Sequence, residues 1–192
     1  MRYRIILWSS RLLHERRSTL FGVGDIVVYP AQGVGRIESI DRKAVGDASC
    51  AFYIVRILSN DITLMVPVNN APNVGLRALT PLEHARGILD GFTDHRAFSG
   101  YTGQNWNRRY REYTERLKSS KLADVANVLH ELLLIGRGKE LSFGERRLLE
   151  QAMSLVSGEL AIVLNNSEQI VRETIQQAFA LPAVRENCMQ SE

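Results

Sequence analysis

Short strand-like segments separated by tight turns fill residues 21–80, and they constrain the fold more than any other feature of this sequence. The segments are rich in β-branched and aromatic residues, whereas the connections carry glycine, proline, asparagine or aspartate. The five predicted strands are residues 26–29, 36–40, 51–58, 62–67 and 74–77. Five short strands within about sixty residues indicate a small, strongly bent barrel of the SH3 or Tudor type.

Gly33 and Gly35 in the first connection raise the alternative of a nucleotide-binding loop. Such a loop needs a helix directly after it, because the N-terminal amides of that helix hold the phosphate. Here the chain continues into a strand, residues 36–40. We therefore reject nucleotide binding and predict that the two glycines permit a sharp bend or a bulge.

The fourth predicted strand ends at Pro67, and this proline indicates an edge of the sheet. Proline has no amide hydrogen, so it is tolerated where no neighbouring strand needs a donor. An edge strand leaves backbone groups free to pair with a strand of a partner protein. Because every small barrel has edges, partner binding is one interpretation of this strand and a plain structural edge is the other.

Helical periodicity replaces the strand pattern after residue 80. The first predicted helix opens at residues 81–83 and runs to about residue 90, and the second is residues 105–118. The third runs from residue 122 to near Gly136 or Gly138, a long helix starts at Ser142, and a last helix stops before Pro182. Asn105 suits the cap of the second helix, and Ser142 with Glu145 matches a capping box. The predicted fold class is therefore α+β, an N-terminal five-stranded Tudor/SH3-like barrel followed by a C-terminal all-α bundle.

The predicted domains differ in charge. They are a poorly ordered basic extension (1–20), the barrel (21–80), a helical domain (81–182) and a tail (183–192). The net charge of the chain is +3, but residues 1–19 hold five arginines against Glu15, so the remainder is near −1. The apolar run in the extension is too short to span a bilayer, and a basic helix lying on a membrane surface is the alternative to a loose extension.

The sequence contains no recognisable catalytic or metal-binding pattern. The four histidines are scattered over different predicted elements, at positions 14, 84, 95 and 130. Cys50 and Cys188 lie far apart and form no C-x-x-C pair, which favours a reducing cytoplasm. We therefore expect a cytoplasmic binding protein that is not an enzyme and has no metal or cofactor.

The start of the second predicted helix combines a tryptophan with a local excess of positive charge. Between Asn105 and Lys121 six basic residues accompany two acidic ones. This pattern suits a nucleic-acid contact in which arginines neutralise phosphates while the indole of Trp106 stacks or wedges. However, Trp106, Tyr110 and Tyr113 recur at helical spacing, and periodicity alone favours a stripe that faces the core.

Motifs in both halves occur in one order along the chain. In the barrel they are Phe21-x-Val23-Gly24-Asp25-x-Val27-Val28-Tyr29-Pro30, Gln32-Gly33-Val34-Gly35, Val66-Pro67 and Val74-Gly75-Leu76-Arg77. In the helical half they are Asn105-Trp106-Asn107-Arg108-Arg109-Tyr110-Arg111 and Leu141-Ser142-x-Gly144-Glu145-Arg146. With these residues the chain resembles the CarD/CdnL family of bacterial transcription regulators over nearly all of residues 21–181. The barrel alone would also resemble transcription-repair coupling factors.

The resemblance implies that the barrel docks on the lobe of the RNA polymerase β subunit by pairing an edge strand with it. Carried over, Leu64, Met65 and Val66 lie on that edge, with Arg42 and Lys43 near it. Some relatives have arginine at the position of Met65. A contact made by backbone and apolar groups is therefore the expectation here.

The resemblance also implies that Trp106 sits in the minor groove at the upstream edge of the transcription bubble, with Arg108 and Arg109 on phosphates. Tyr110 and Tyr113 remain core candidates. The implied partners are promoter DNA and the holoenzyme of the housekeeping sigma factor, with ribosomal RNA promoters among the targets, and the protein acts as a monomer that stabilises the open complex. The alternative is a protein-interaction adaptor with no DNA role.

Overall fold

The computed structural model describes residues 20–45, 48–93 and 106–180. The strands are β1 Ile26–Tyr29, β2 Gly33–Val45, β3 Ala48–Ile57, β4 Thr63–Pro67 and β5 Arg77–Ala78. The helices are α1 Leu82–Gly91, α2 Trp106–Leu117, α3 Leu122–Gly138, α4 Phe143–Val163 and α5 Glu168–Ala180. The predictions for the N-terminal extension, the Asn105 cap and the tail concern residues outside the described ranges.

The five strands form one antiparallel sheet in the order β4-β3-β2-β1-β5. The register between β2 and β3 shifts between Ile37 and Ser39, and such a bulge bends and twists the strand that carries it. The sheet buries a compact apolar cluster that includes Val27, Ile37 and Tyr53. The predicted α+β class, with a five-stranded sheet before the helices, is confirmed.

Two glycines of the sheet are required for different reasons. Gly33 begins β2 with φ +95°, a left-handed backbone that other residues rarely adopt. At Gly35 a Cβ atom would lie 2.7 Å from Cγ1 of Val55 and 2.9 Å from the carbonyl oxygen of Arg56. The first glycine therefore permits the turn, and the second permits the close approach of β3.

The last strand is shorter and later than predicted. The sequence pattern placed it at residues 74–77, but β5 is only Arg77–Ala78. The preceding residues form a turn in which Gly75 has φ +79° and packs so closely on Pro30 that a Cβ would lie 2.8 Å from its Cγ. The left-handed backbone at Gly75 thus takes this segment out of the extended conformation.

The helices α2 to α5 enclose a second apolar core. It is centred on side chains such as Leu129 of α3 and Leu160 of α4, both fully buried. The predicted capping box is confirmed, because the Ser142 hydroxyl accepts from the Glu145 amide at 3.3 Å and the Glu145 carboxylate accepts from the Ser142 amide at 2.8 Å. This box fixes where α4 begins.

A buried carboxylate joins the sheet to the bundle. Glu159 of α4 accepts two hydrogen bonds of 2.7 Å from the guanidinium of Arg77 on β5. It also accepts from the amide and the hydroxyl of Thr80, at 2.9 and 2.7 Å. Because bidentate pairs of this kind are directional, Glu159 holds α4 against the end of the barrel.

Candidate functional site

Trp106 is the first residue of α2, and its indole rests on the backbone of α4. A Cβ atom at Gly144 would lie 2.8 Å from Cζ2 of Trp106, so only glycine leaves room for the ring at this distance. The ring also contacts Tyr110, with centroids 5.5 Å apart. Trp106 is half-buried at the margin of the bundle core. One side of the indole is therefore fixed while part of it stays open to solvent.

A buried ion-pair cluster lies beside the indole. Glu145, almost fully buried, accepts from Nη2 of Arg109 at 3.3 Å and from Nζ of Lys139 at 3.1 Å. The Arg109 guanidinium is also 5.7 Å from the centroid of the Trp106 ring, a cation–π distance. Burial alone would raise the pKa of the Glu145 carboxyl, but hydrogen bonds from Ser142 and Lys139 hold that pKa below its ordinary value.

The two arginines predicted to contact phosphates are placed differently. Arg108 is exposed on α2, as a phosphate contact requires. Arg109 is only 7% exposed and pairs with Glu145, so the predicted phosphate contact of Arg109 is wrong. The reason is helical phase, because Arg109 lies four residues before the buried Tyr113 and shares its face.

The two tyrosines of α2 also separate. Tyr113 is buried in the bundle, and the core prediction for it is confirmed. Burial, together with a hydrogen bond to Glu131, raises the pKa of its hydroxyl. Tyr110 is 43% exposed, so its assignment to the core is wrong. Its ring extends the partly exposed aromatic surface that begins at Trp106.

The strand predicted to carry the protein interface, β4, is at one edge of the sheet. Side chains alternate along it: Val66 is buried and Leu64 packs on the barrel core, whereas Met65 is 47% exposed. Leu64 and Val66 can therefore present only their backbone to a partner. Met65 is the one of the three that presents its side chain.

The hydrogen-bond phase of β4 shows which backbone groups face outward. The Ile57 amide donates to the Ile62 carbonyl at 2.8 Å, so these two residues are a bonded pair. In an antiparallel ladder bonded pairs alternate with non-bonded ones, and the residues between bonded positions point away from β3. Those residues are Thr63, Met65 and Pro67. Pro67 has no amide hydrogen, but its backbone points away from β3, so the sheet loses no hydrogen bond there.

Arg42 and Lys43 lie two strands away from that edge, on β2. The register places Asp41 opposite Phe52, which in turn is opposite Pro67. Both basic residues are exposed just past the end of β4, with β3 between them and the edge. Their predicted part in a protein contact stays a prediction.

Two family models match this chain. The model of the CarD-like/TRCF RID domain matches residues 21–80, and that of the CarD C-terminal domain matches residues 96–176. The chain belongs to the CarD family. YdeB of Bacillus subtilis (strain 168), a protein named as a candidate transcription factor, is 25% identical over 156 residues, which cover 80% of this chain and 98% of YdeB.

CarD proteins are transcription regulators, and the match over residues 21–80 identifies the Tudor-like barrel as an RNA polymerase-interacting domain. None of the helices among the described residues is long and apolar enough to cross a membrane. Within the same residues, histidine, cysteine and acidic side chains form no group of three that could hold a metal ion.

Gly144 and Glu145 are the site residues that sequence reasoning missed. Both stand in the motif that carries the CarD resemblance, and Glu145 was recognised only as part of a capping box. Helix capping explains Glu145 in part, but it gives no reason for a glycine at the second position of α4. That reason is the indole of Trp106, 38 positions earlier in the sequence.

Proposed function

We propose that this CarD-family protein docks on the lobe of the RNA polymerase β subunit through β4 and stabilises the promoter open complex by placing Trp106 at the upstream edge of the bubble. Residues 21–80 act as the docking domain and residues 81–182 as the DNA-contacting domain of a monomer. The observation that carries the proposal is the half-buried indole fixed on Gly144.

Docking through β4 is supported by its unpaired backbone. Thr63 and Met65 each offer an outward amide and carbonyl, and Pro67 offers only a carbonyl. A strand of the polymerase β subunit can add to this edge by main-chain hydrogen bonds. Met65 would supply an apolar contact, and Arg42 and Lys43 would flank the end of the added strand.

A fixed indole suits the edge of a bubble. There, duplex DNA gives way to unpaired strands, and an aromatic ring can stack on the last base step from the minor groove. Aromatic stacking on a base contributes about 1–3 kcal/mol. A contribution of about 1.4 kcal/mol already shifts an equilibrium tenfold, enough to move promoters from closed to open complexes.

Docking and wedging depend on each other. Arg108 places one exposed cation beside the indole, and phosphate contacts of this kind position a protein without reading sequence. Attachment to polymerase raises the effective concentration of the weak DNA contact. The proposed context is the holoenzyme of the housekeeping sigma factor, including its ribosomal RNA promoters.

The test is Trp106→Ala, compared with Leu82→Ala, which removes an exposed apolar side chain of α1. We expect Trp106→Ala to keep full binding to polymerase and to shorten the lifetime of the open complex about tenfold. Lifetime is measured after addition of a heparin competitor. An unchanged lifetime with intact polymerase binding would instead identify a protein-interaction adaptor without a DNA role.

A further inference from the structure

Phe143 is the most exposed large apolar side chain among those the structure describes, with 79% of its surface accessible. It is the first residue of α4, next to Gly144, on which the indole of Trp106 lies. Neighbouring Cα atoms are about 3.8 Å apart, so Phe143 leaves the backbone close to the indole. Phe143 therefore adds a third exposed aromatic ring at this end of α4, near the partly open rings of Trp106 and Tyr110 and beside Arg146 and Arg147.

Single exposed apolar residues are common and need no explanation. Phe143 differs from such single residues because most of the charged side chains around it are basic. The first two turns of α2 and residues 139–147 expose five basic side chains, Arg108, Arg111, Lys139, Arg146 and Arg147. The same segments expose two acidic side chains, Glu112 and Glu140. The buried pair of Arg109 and Glu145 cancels. This surface thus has a clear excess of positive charge.

Aromatic rings interleaved with basic side chains are the usual composition of a surface that binds nucleic acid. Phosphates complement the cations, and bases or sugars accept the rings. The opposite occupant, a basic or neutral protein surface, would leave the excess charge uncompensated. An acidic protein surface would match the charge as well, but the exposed rings among the cations favour DNA, whose bases and sugars accept them.

We propose that Phe143 makes a second aromatic contact with promoter DNA, next to the contact assigned to Trp106. The proposal rests on the function proposed above. Phe143 lies against the sugars or bases of the minor groove at the edge of the bubble, while its basic neighbours hold the adjacent phosphates. Because Trp106 is half-buried, the freely accessible ring of Phe143 widens the apolar surface offered to the distorted step.

The first experiment compares Phe143→Ala and Phe143→Tyr with Ile170→Ala, which removes a half-exposed apolar side chain of α5. All are measured as full-length chains with polymerase holoenzyme. We expect Phe143→Ala to shorten the open-complex lifetime about three- to tenfold and Phe143→Tyr to keep it. Ile170→Ala should leave it unchanged. Wild-type lifetime for Phe143→Ala would overturn the proposal.

A second experiment identifies the occupant. A photo-reactive benzophenone amino acid replaces Phe143 in one variant and Arg108 in another, and each is irradiated in the open complex. Crosslinks from both positions to DNA at the upstream bubble edge support the proposal. A crosslink to DNA from position 108 alone, with polymerase or nothing captured at 143, overturns it but leaves the proposed function standing. No DNA crosslink from either position overturns both.

Discussion

The edge of β4 exposes mainly backbone groups, whereas the site that holds Trp106, called the seat below, exposes a side chain. At the edge, the side chains of Leu64 and Val66 point into the barrel, and the outward groups belong mainly to the backbone, with the exposed Met65 side chain beside them. At the seat, defined as Trp106, Gly144 and the pair of Arg109 with Glu145, the exposed group is one side chain. A backbone surface tolerates many sequences, whereas a side-chain surface depends on everything that fixes the ring.

That difference predicts where substitutions are costly. The seat brings together α2, the end of α3 and the start of α4, so an error in any of them displaces the indole. The edge needs only an extended strand that keeps its place beside β3. The predictions that follow test this contrast, beginning with the largest expected effect.

Glu145→Ala should have the largest effect on stability. It removes the carboxylate that accepts from Arg109, Lys139 and the Ser142 amide. Breaking a buried ion pair by deleting one partner lowers the free energy of unfolding by about 3–5 kcal/mol. Urea denaturation measures the loss. The control is Glu140→Ala, whose exposed pair with Arg146 should contribute less than about 1 kcal/mol.

If Glu145→Ala and Glu140→Ala lost similar amounts, the buried pair would not be what stabilises the seat. A large loss at position 145 combined with unchanged polymerase binding would sharpen the contrast. In that outcome the barrel still docks while the indole loses its support.

Gly144→Ala should come next. The added methyl group would lie 2.8 Å from Cζ2 of the indole, so the ring must move. Overpacking of this kind costs about 1–3 kcal/mol. Gly158→Ala is the matched control, because it lies in the same helix with nothing within 4 Å of the added Cβ. It should stabilise the protein by about 0.5–1 kcal/mol through better helix propensity.

The Gly144→Ala variant should also shorten the open-complex lifetime without changing polymerase binding, because only the indole is displaced. Thermal unfolding and the lifetime assay are run on both glycine variants. Equal behaviour of the two would mean that the ring is not fixed by Gly144.

The Gly144 variant tests a feature of the site that could not be predicted from the sequence. The first four strands, the helices and the capping box follow from local patterns, with periods of two and 3.6 residues and recognisable turn residues. The requirement for glycine at position 144 does not, because it depends on Trp106 from another helix. Trp106 and Gly144 are far apart in the sequence, so no local pattern of residues predicts their contact.

Helical phase explains the errors within α2. Arg109 and Tyr110 were assigned by charge and by spacing from Trp106, yet Arg109 faces inward and Tyr110 outward. The stripe that packs on α3 is centred on Tyr113 and Leu117. Its centre depends on how α2 lies on its neighbours, and one residue of error turns a side chain by about 100°.

Met65→Pro tests the backbone edge. It removes one outward amide and should not interrupt the hydrogen bonds to β3, since residue 65 is a non-bonded position of that ladder. Losing one interstrand hydrogen bond of about 1.4 kcal/mol weakens polymerase binding about tenfold. Met65→Ala keeps the amide and should cost about threefold or less. Binding is measured by titration with the isolated lobe of the β subunit.

A greater loss for Met65→Ala than for Met65→Pro would show that docking is a side-chain contact, and the contrast between the two regions would fail. Leu64→Arg is unsuitable for this test, because a charge against the barrel core would destabilise the domain whether or not it docks.

The smallest expected effect is the response of the seat to acid. The pKa of Glu145 in the folded protein lies below the ordinary value of 4.5, so the folded state binds this proton less readily than the unfolded chain does. The stabilisation from the ionised carboxylate is complete above that ordinary value and is lost as the pH falls through the folded pKa. Stability supplied by Glu145 should therefore decline only below about pH 4.5.

Glu145→Gln isolates the stabilisation that comes from the ionised carboxylate, because the amide side chain cannot ionise and occupies the same volume. The difference in unfolding free energy between the wild type and this variant should be largest near pH 7 and shrink towards pH 3. A difference that stayed constant with pH would mean that Glu145 holds the seat by shape and hydrogen bonding alone, and that its charge adds nothing to fixing the indole.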